Sequence, residues 1–290
     1  PIVVKDVHDP SNPNMNKWRT ILVGALGYGG KGYFALDISH PDNPMFLGAV
    51  ENDDKNNRVL RWDEGGDMTV HKYGTGASTM ALTDTMYPYQ YLGFTLSKPS
   101  ITLLPYAQKP VGGRWSSRYG HGIQQRYALV FGAGYAGGMS TNQGNYVIVA
   151  DAVARRADGM LYGTAAPDSQ RYNDYGPFNT LAWTKVPQDP ASDANKGVTA
   201  AVSVVIPDKL GDNESDYYGG IAYFTDLHGQ LWKWNLSRNT LPSASTTYEH
   251  YQELGSRIVT ANNDTANGDR SMHGLTKLWR SETTVANDRF

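Results

Sequence analysis

Cysteine is absent from this 290-residue chain, which excludes disulfides and cysteine-held zinc or iron–sulfur clusters within it. Charge of one sign is lacking too. The basic and acidic residues balance to a formal net charge of -2, and the longest basic run is Arg155-Arg156. That balance gives no electrostatic footing for nucleic acid or an anionic membrane surface. No apolar run reaches the length of a membrane span. Helical patterning is scarce, because no stretch keeps a 3.6-residue apolar period over four turns. Local catalytic motifs are missing as well. The histidines (His8, His40, His71, His121, His228, His250 and His273) show no H-x-x-x-H or H-x-x-E-H spacing, and Ser97, Ser116 and Ser117 have no G-x-S-x-G context. No secretory signal opens the chain, which starts at Pro1 and stops at Arg289-Phe290; the expectation is a processed or partial piece of a longer protein.

What is present points to β structure. There are 31 glycines, 19 tyrosines and 7 tryptophans; glycine supplies turns, and aromatic side chains cover strand faces. Strand candidates are Thr20–Gly24, Gly32–Ile38, Phe46–Ala49, Ile101–Leu104, Tyr127–Phe131, Asn145–Ala150, Thr199–Ile206, Gly220–Phe224 and Leu231–Leu236. Glycine, Asn or Asp clusters separate most of them. Val50–Arg61 is Asp/Asn-rich and reads as a polar loop. Two longer stretches, 52–91 and 158–196, read as inserted loops on a single domain spanning 1–290.

Two glycine clusters match G-x-G-x-x-G: Gly27–Gly32 and Gly132–Gly137. A dinucleotide loop would open a helix whose N-terminus holds the pyrophosphate. Here each cluster is followed by another strand-like run, Gly32–Asp37 in the first case and Gly144–Asp151, after a polar loop, in the second. The glycines are therefore expected to turn hairpins. A third hairpin reads over Gly219–Leu236, its two strands flanking Asp226–Gly229 and the second ending in Asn235. The three units end in Asp37, Asp151 and Asn235, which lie 114 and 84 positions apart. Propeller blades take about 40–50 residues each, so each gap is expected to hold about two blades. Loop aromatics (Tyr87, Tyr89, Tyr91, Trp115, Tyr119, Tyr172 and Tyr175) fit either a partner surface or packing over their own sheet, with the second favoured.

The metal candidate is the acidic run Asp208–Asp216. Calcium takes six to eight oxygen ligands, which closely spaced carboxylates on a tight loop supply. Asp208, Asp212, Glu214 and Asp216 are the candidate ligands, and Leu210 stands at an alternate position where an EF-hand loop has an oxygen ligand. The alternative is a solvated acidic turn between strands.

Taken in order, these segments resemble the C-terminal propeller of PilY/PilC-type type IV pilus tip proteins. The resemblance starts at Trp18–Asp37, continues through Leu92–Ser100, Val130–Tyr135 and Gly144–Ala152, and ends in Asp208–Asp216 followed by Tyr223–Ser237. It is collinear over about three-quarters of the chain. It implies an all-β modified propeller with long inserted loops, incomplete in this chain, within an exported protein at the cell surface. It implies non-catalytic binding in pilus biogenesis or tip adhesion, with pilins or minor pilins and a host or abiotic surface as partners, and calcium as the cofactor. Two rivals stand beside it. A quinone-dependent dehydrogenase propeller shares the Gly32–Asp37 type of strand but commonly carries a vicinal cysteine pair, absent here. A structural filament or sheath subunit is the other.

Overall fold

The computed structural model describes residues 1–8, 18–74, 86–107, 123–136, 143–153, 177–186, 197–205, 221–227, 229–236 and 275–280. Its described residues form fourteen strands in three sheets, every neighbouring pair antiparallel and consecutive in sequence. The first sheet contains β1 (Ile2–His8), β2 (Trp18–Ala25), β3 (Gly32–Asp37), β4 (Met45–Asp53), β5 (Arg58–Trp62) and β6 (Met68–Lys72). The second contains β7 (Ser100–Ala107), β8 (Ile123–Gly132), β9 (Tyr146–Asp151) and β10 (Thr180–Lys185). The third contains β11 (Ser203–Val205), β12 (Ile221–Thr225), β13 (Gln230–Asn235) and β14 (Leu275–Arg280). No described helix is long and apolar enough to cross a membrane, a statement that does not bear on β-barrels.

The second sheet is the middle layer. Along β8, Leu129 and Phe131 join one apolar core with Ile21, Val23 and Tyr33 of the first sheet. Their neighbours Ala128 and Val130 join another with Phe224, Trp232 and Trp234 of the third sheet. β9 divides in the same way: Tyr146, Ile148 and Ala150 face the first core, Val147 and Val149 the second. Alternate side chains leave opposite faces of a strand, so a strand covered on both faces must be apolar at every position. This explains the unbroken run Val147–Ala150, where no polar alternation appears. Burying a side chain such as Phe131 stabilises the fold by about 1.5–3 kcal/mol.

Consecutive antiparallel meanders packed face to face, with their first strands gathered on one side, have the arrangement of propeller blades. All nine strand candidates form strands, β11 over a shorter span than Thr199–Ile206. The three hairpins occupy equivalent places: β2–β3, β8–β9 and β12–β13 are the second and third strands of their sheets.

Three expectations are corrected. Val50–Arg61 is not a polar loop, since it holds the end of β4 and most of β5. Asn52 and Asp53 end β4, and Asp54–Asn57 make the tight turn to β5, where Asn57 is left-handed at φ 52° and Asp53 accepts from Asn56 and Arg58. The 52–91 stretch also carries β6 and a short 3-10 helix at Tyr87–Tyr91, and β10 lies within 158–196. The gaps between hairpins do not each hold two blades among the described residues. Among those residues each hairpin has a sheet of its own, and β5 and β6 extend the first sheet.

Candidate functional site

Strand pairing leaves open how separate sheets are fixed to one another. The connection Leu92–Ser100 does this, running from the first sheet to the second. Its backbone bridges in both directions, Gly27 to Thr95 and Phe94 to Tyr135. Thr95 is fully buried; its Oγ1 accepts from the Leu26 amide at 3.1 Å and donates to the Gly32 carbonyl at 2.8 Å. Ser97 is also fully buried. Its Oγ accepts from the Gly132 amide at 3.0 Å and donates to Ala200 O at 2.7 Å, tying the second sheet to the segment that leads into the third. Ser100 Oγ donates to Val202 O. The Tyr33 hydroxyl reaches across from β3 to donate to Gly132 O at 2.9 Å. Burial pushes that phenol well above its ordinary pKa, so it remains a donor.

The two glycine clusters are built into this seam. Gly27 (φ +63°) makes the turn between β2 and β3. Gly134 (φ +93°) sits where a Cβ would lie 2.1 Å from Phe94 O, so both the backbone angle and the contact require glycine. Among the described residues neither cluster opens a helix, in keeping with hairpin and seam roles. Gly137 lies outside the described residues.

Two clusters flank the seam. Lys31 Nζ pairs with Asp54 and donates to Gln143 Oε1 at 3.0 Å, joining the first sheet to the approach to β9. Partial burial pushes the Asp54 carboxyl up, but its bonds to Lys31 and Gln143 outweigh this and hold it below the usual range. Nearby, Tyr91 stacks on Tyr146 with ring centres 4.4 Å apart, and Tyr87 lies against Trp183 at 5.1 Å. The Tyr89 hydroxyl, fully buried, donates to Phe178 O at 2.7 Å. These tyrosines pack over their own sheets, as favoured. Trp115, Tyr119, Tyr172 and Tyr175 lie outside the described residues.

The first strands of the sheets gather at a groove of 550 Å³, lined by β1, by residues 98–102 entering β7 and by residues 201–204 entering β11. No sequence motif marks it, because its walls come from three separate stretches of the chain.

The candidate calcium ligands Asp208, Asp212, Glu214 and Asp216, with Leu210, lie outside the described residues. Among the described residues no group of three or more His, Cys, Asp or Glu side chains is placed to hold a metal. The acidic residues ending two of the hairpins have structural surroundings: Asp37 is buried and lies 3.6 Å from the Arg19 guanidinium, and Asp151 is buried within the second sheet. In the third hairpin, Asp226 accepts from the Gln230 amide at 3.0 Å and from the Trp232 indole at 2.9 Å, shaping the turn.

Fold and seam define an all-β protein of stacked antiparallel meanders, welded by one hydroxyl-rich connection. No protein-family profile matches the chain. In sequence it is 24% identical over 238 residues to the type IV pilus biogenesis factor PilY1 of Pseudomonas aeruginosa (strain UCBPP-PA14), covering 81% of this chain and 13% of that protein. It is 26% identical over 225 residues to a PilY1 homolog of Xylella fastidiosa (strain Temecula1 / ATCC 700964), covering 76% of this chain and 10% of that one. A match to a Xylella fastidiosa PilY1 homolog is 60% identical over 30 residues, 10% of this chain and 2% of that protein. The crystal structure of the Pseudomonas aeruginosa PilY1 C-terminal domain aligns with a TM-score of 0.38 and 19% identity, over 81% of this chain and 29% of that one. The chain is thus a relative of the PilY1-type pilus biogenesis factors, and it spans only about a tenth of the length of the curated relatives it matches.

Proposed function

We propose that this chain is the β-rich portion of an exported, cell-surface protein that acts in type IV pilus biogenesis and in adhesion at the pilus tip. The observation that carries this is the sequence relation to pilus biogenesis factors over 81% of the chain. Its role is binding, with pilins or minor pilins on one side and a host or abiotic surface on the other, and without catalysis. Rigid stacked sheets suit that role, because loops held on such a frame present a fixed surface to a partner.

The experiment removes the coding region for residues 1–290 in the source organism, counts surface pili and measures surface adhesion. Loss of pili, or normal pili with lost adhesion, is expected. Normal piliation together with normal adhesion overturns the reading. Immunogold labelling separates the tip from a sheath: label confined to filament ends supports the tip, and label along the shaft favours the sheath subunit.

Calcium modulation belongs to the same proposal and rests on the acidic run alone. Asp208, Asp212, Glu214 and Asp216 would supply the oxygens. Calorimetric titration with calcium is expected to show binding heat that Asp212→Ala removes; identical heats in the two proteins refute it.

A further inference from the structure

The groove where the sheets' first strands gather has an unbalanced charge. Lys5 reaches it from β1 and Lys98 from the connection into β7, while its lining contains no Asp or Glu. Neither ammonium takes part in an ion pair among the described residues. The Lys31, Arg19 and Arg58 cations, by contrast, are each matched to a carboxylate. Lys5 is held in place, since its Nζ donates to Ile101 O at 3.1 Å. A lysine ammonium has three donors, so that bond leaves N–H groups of Lys5 to face a ligand. Lys98 is exposed. Thr102 and Ser203 add hydroxyls to the same lining.

Three backbone carbonyls beside the groove already accept side-chain donors. Ile101 O is taken by Lys5, Val202 O by Ser100 and Ala200 O by Ser97. What the groove offers from its side chains is positive charge and hydroxyls. We propose that it is a binding site for a ligand bearing an oxyanion (a carboxylate, phosphate or sulfate), with Lys5 and Lys98 as the cationic contacts and Thr102 and Ser203 as hydrogen-bonding hydroxyls. Two cations with no countercharge among the described residues raise the local concentration of anions in a concave site. Lysine acts on such groups as a point charge and does not demand the two-pronged geometry of arginine. The site stands on this geometry alone and is independent of the pilus assignment.

The test titrates the chain with inorganic phosphate, sulfate and succinate separately, by calorimetry at low ionic strength, where screening is weakest. Saturable binding of at least one probe is expected, weakened about tenfold or more in Lys98→Glu and reduced in Lys98→Gln. Preference for succinate would identify a carboxylate ligand, and preference for phosphate or sulfate the tetrahedral oxyanions; either supports the site. Lys98 is exposed, so the urea midpoints of both variants should match the parent and separate lost binding from lost folding. Absence of saturable binding by all three probes overturns the proposal, as does unchanged affinity in both folded variants.

Discussion

Replacing Ser97 with alanine removes a single oxygen from the middle of the seam. That oxygen accepts from the Gly132 amide at 3.0 Å and donates to the Ala200 carbonyl at 2.7 Å, in a side chain with no exposure. The two partners respond differently. Ala200 is exposed, so water can replace the lost donor at little cost. Gly132 is buried at the end of β8, so its amide is left without an acceptor. An unsatisfied buried donor costs about 1–3 kcal/mol, and the cavity left by one oxygen is too small to hold a water molecule. The expected loss is about 2 kcal/mol. Urea unfolding reads it as a lower midpoint with an unchanged slope, because the surface exposed on unfolding is nearly the same. Tyr28→Ala is the control: Tyr28 is 73% exposed and its replacement should change stability by about 0.5 kcal/mol or less. If Ser97→Ala costs no more than that control, the seam does not hold the sheets together in the way described here.

Gly134→Ala should be more damaging. It places a side chain at φ +93° and drives its Cβ to 2.1 Å from Phe94 O; the backbone angle and the overpacking together should cost about 3 kcal/mol, read as thermal and urea unfolding shifts. Asp54→Asn should cost about 0.5–1 kcal/mol at neutral pH, as expected for a partly exposed ion pair, and should flatten the acid side of the stability profile. The Asp54 carboxyl is held below its ordinary value in the folded protein, so its contribution is present above about pH 4, the unfolded value, and disappears as pH falls through the folded value. Urea midpoints from pH 7 to pH 3 check this, and a parent–variant difference that stays constant over that range argues against it. Tyr89→Phe removes the bond to Phe178 O while keeping the ring, and should cost about 1 kcal/mol, read as a lower urea midpoint with an unchanged slope.

The legible part of the fold follows one pattern. Strands with turn residues at both ends, such as β3 between the Gly27–Gly32 cluster and the Asp37–Ser39 turn, are visible because turn chemistry and strand composition agree locally. β5 is hidden because its borders are Asp and Asn, which are loop residues in general and here form a left-handed turn at Asn57. β10 is hidden among prolines, Pro177 on one side and Pro187 and Pro190 on the other. β1 lies at a sheet edge with Ile2 and Val4 exposed, so it has no polar-out alternation to mark it. The spacing of hairpins suggests more sheets than the described residues form, because residue counts cannot tell a new blade from two extra strands added to an existing one.

The site divides in the same way. The glycine clusters are visible as sequence, and the strand following each one is enough to set aside a nucleotide loop. What the glycines do beyond turning is not visible there: a Cβ on Gly134 would strike an atom forty residues away in the chain. Thr95, Ser97 and Ser100 are ordinary hydroxyl residues until a second strand end stands beside each. Lys5 and Lys98 carry no motif, and become a pair only because separate sheets place their first strands around one groove.

By itself the sequence determined an all-β chain without cysteine chemistry, its hairpins and their order, and a relation to pilus biogenesis factors; these rest on local turn preference, side-chain alternation and collinear motifs, all written along the chain. Only the tertiary structure decided that the second sheet is covered on both faces, that the Leu92–Ser100 connection welds the sheets through buried hydroxyls, and that two lysines share a groove. Each of these is a contact between residues far apart in sequence, set by how sheets pack, and no local preference encodes it.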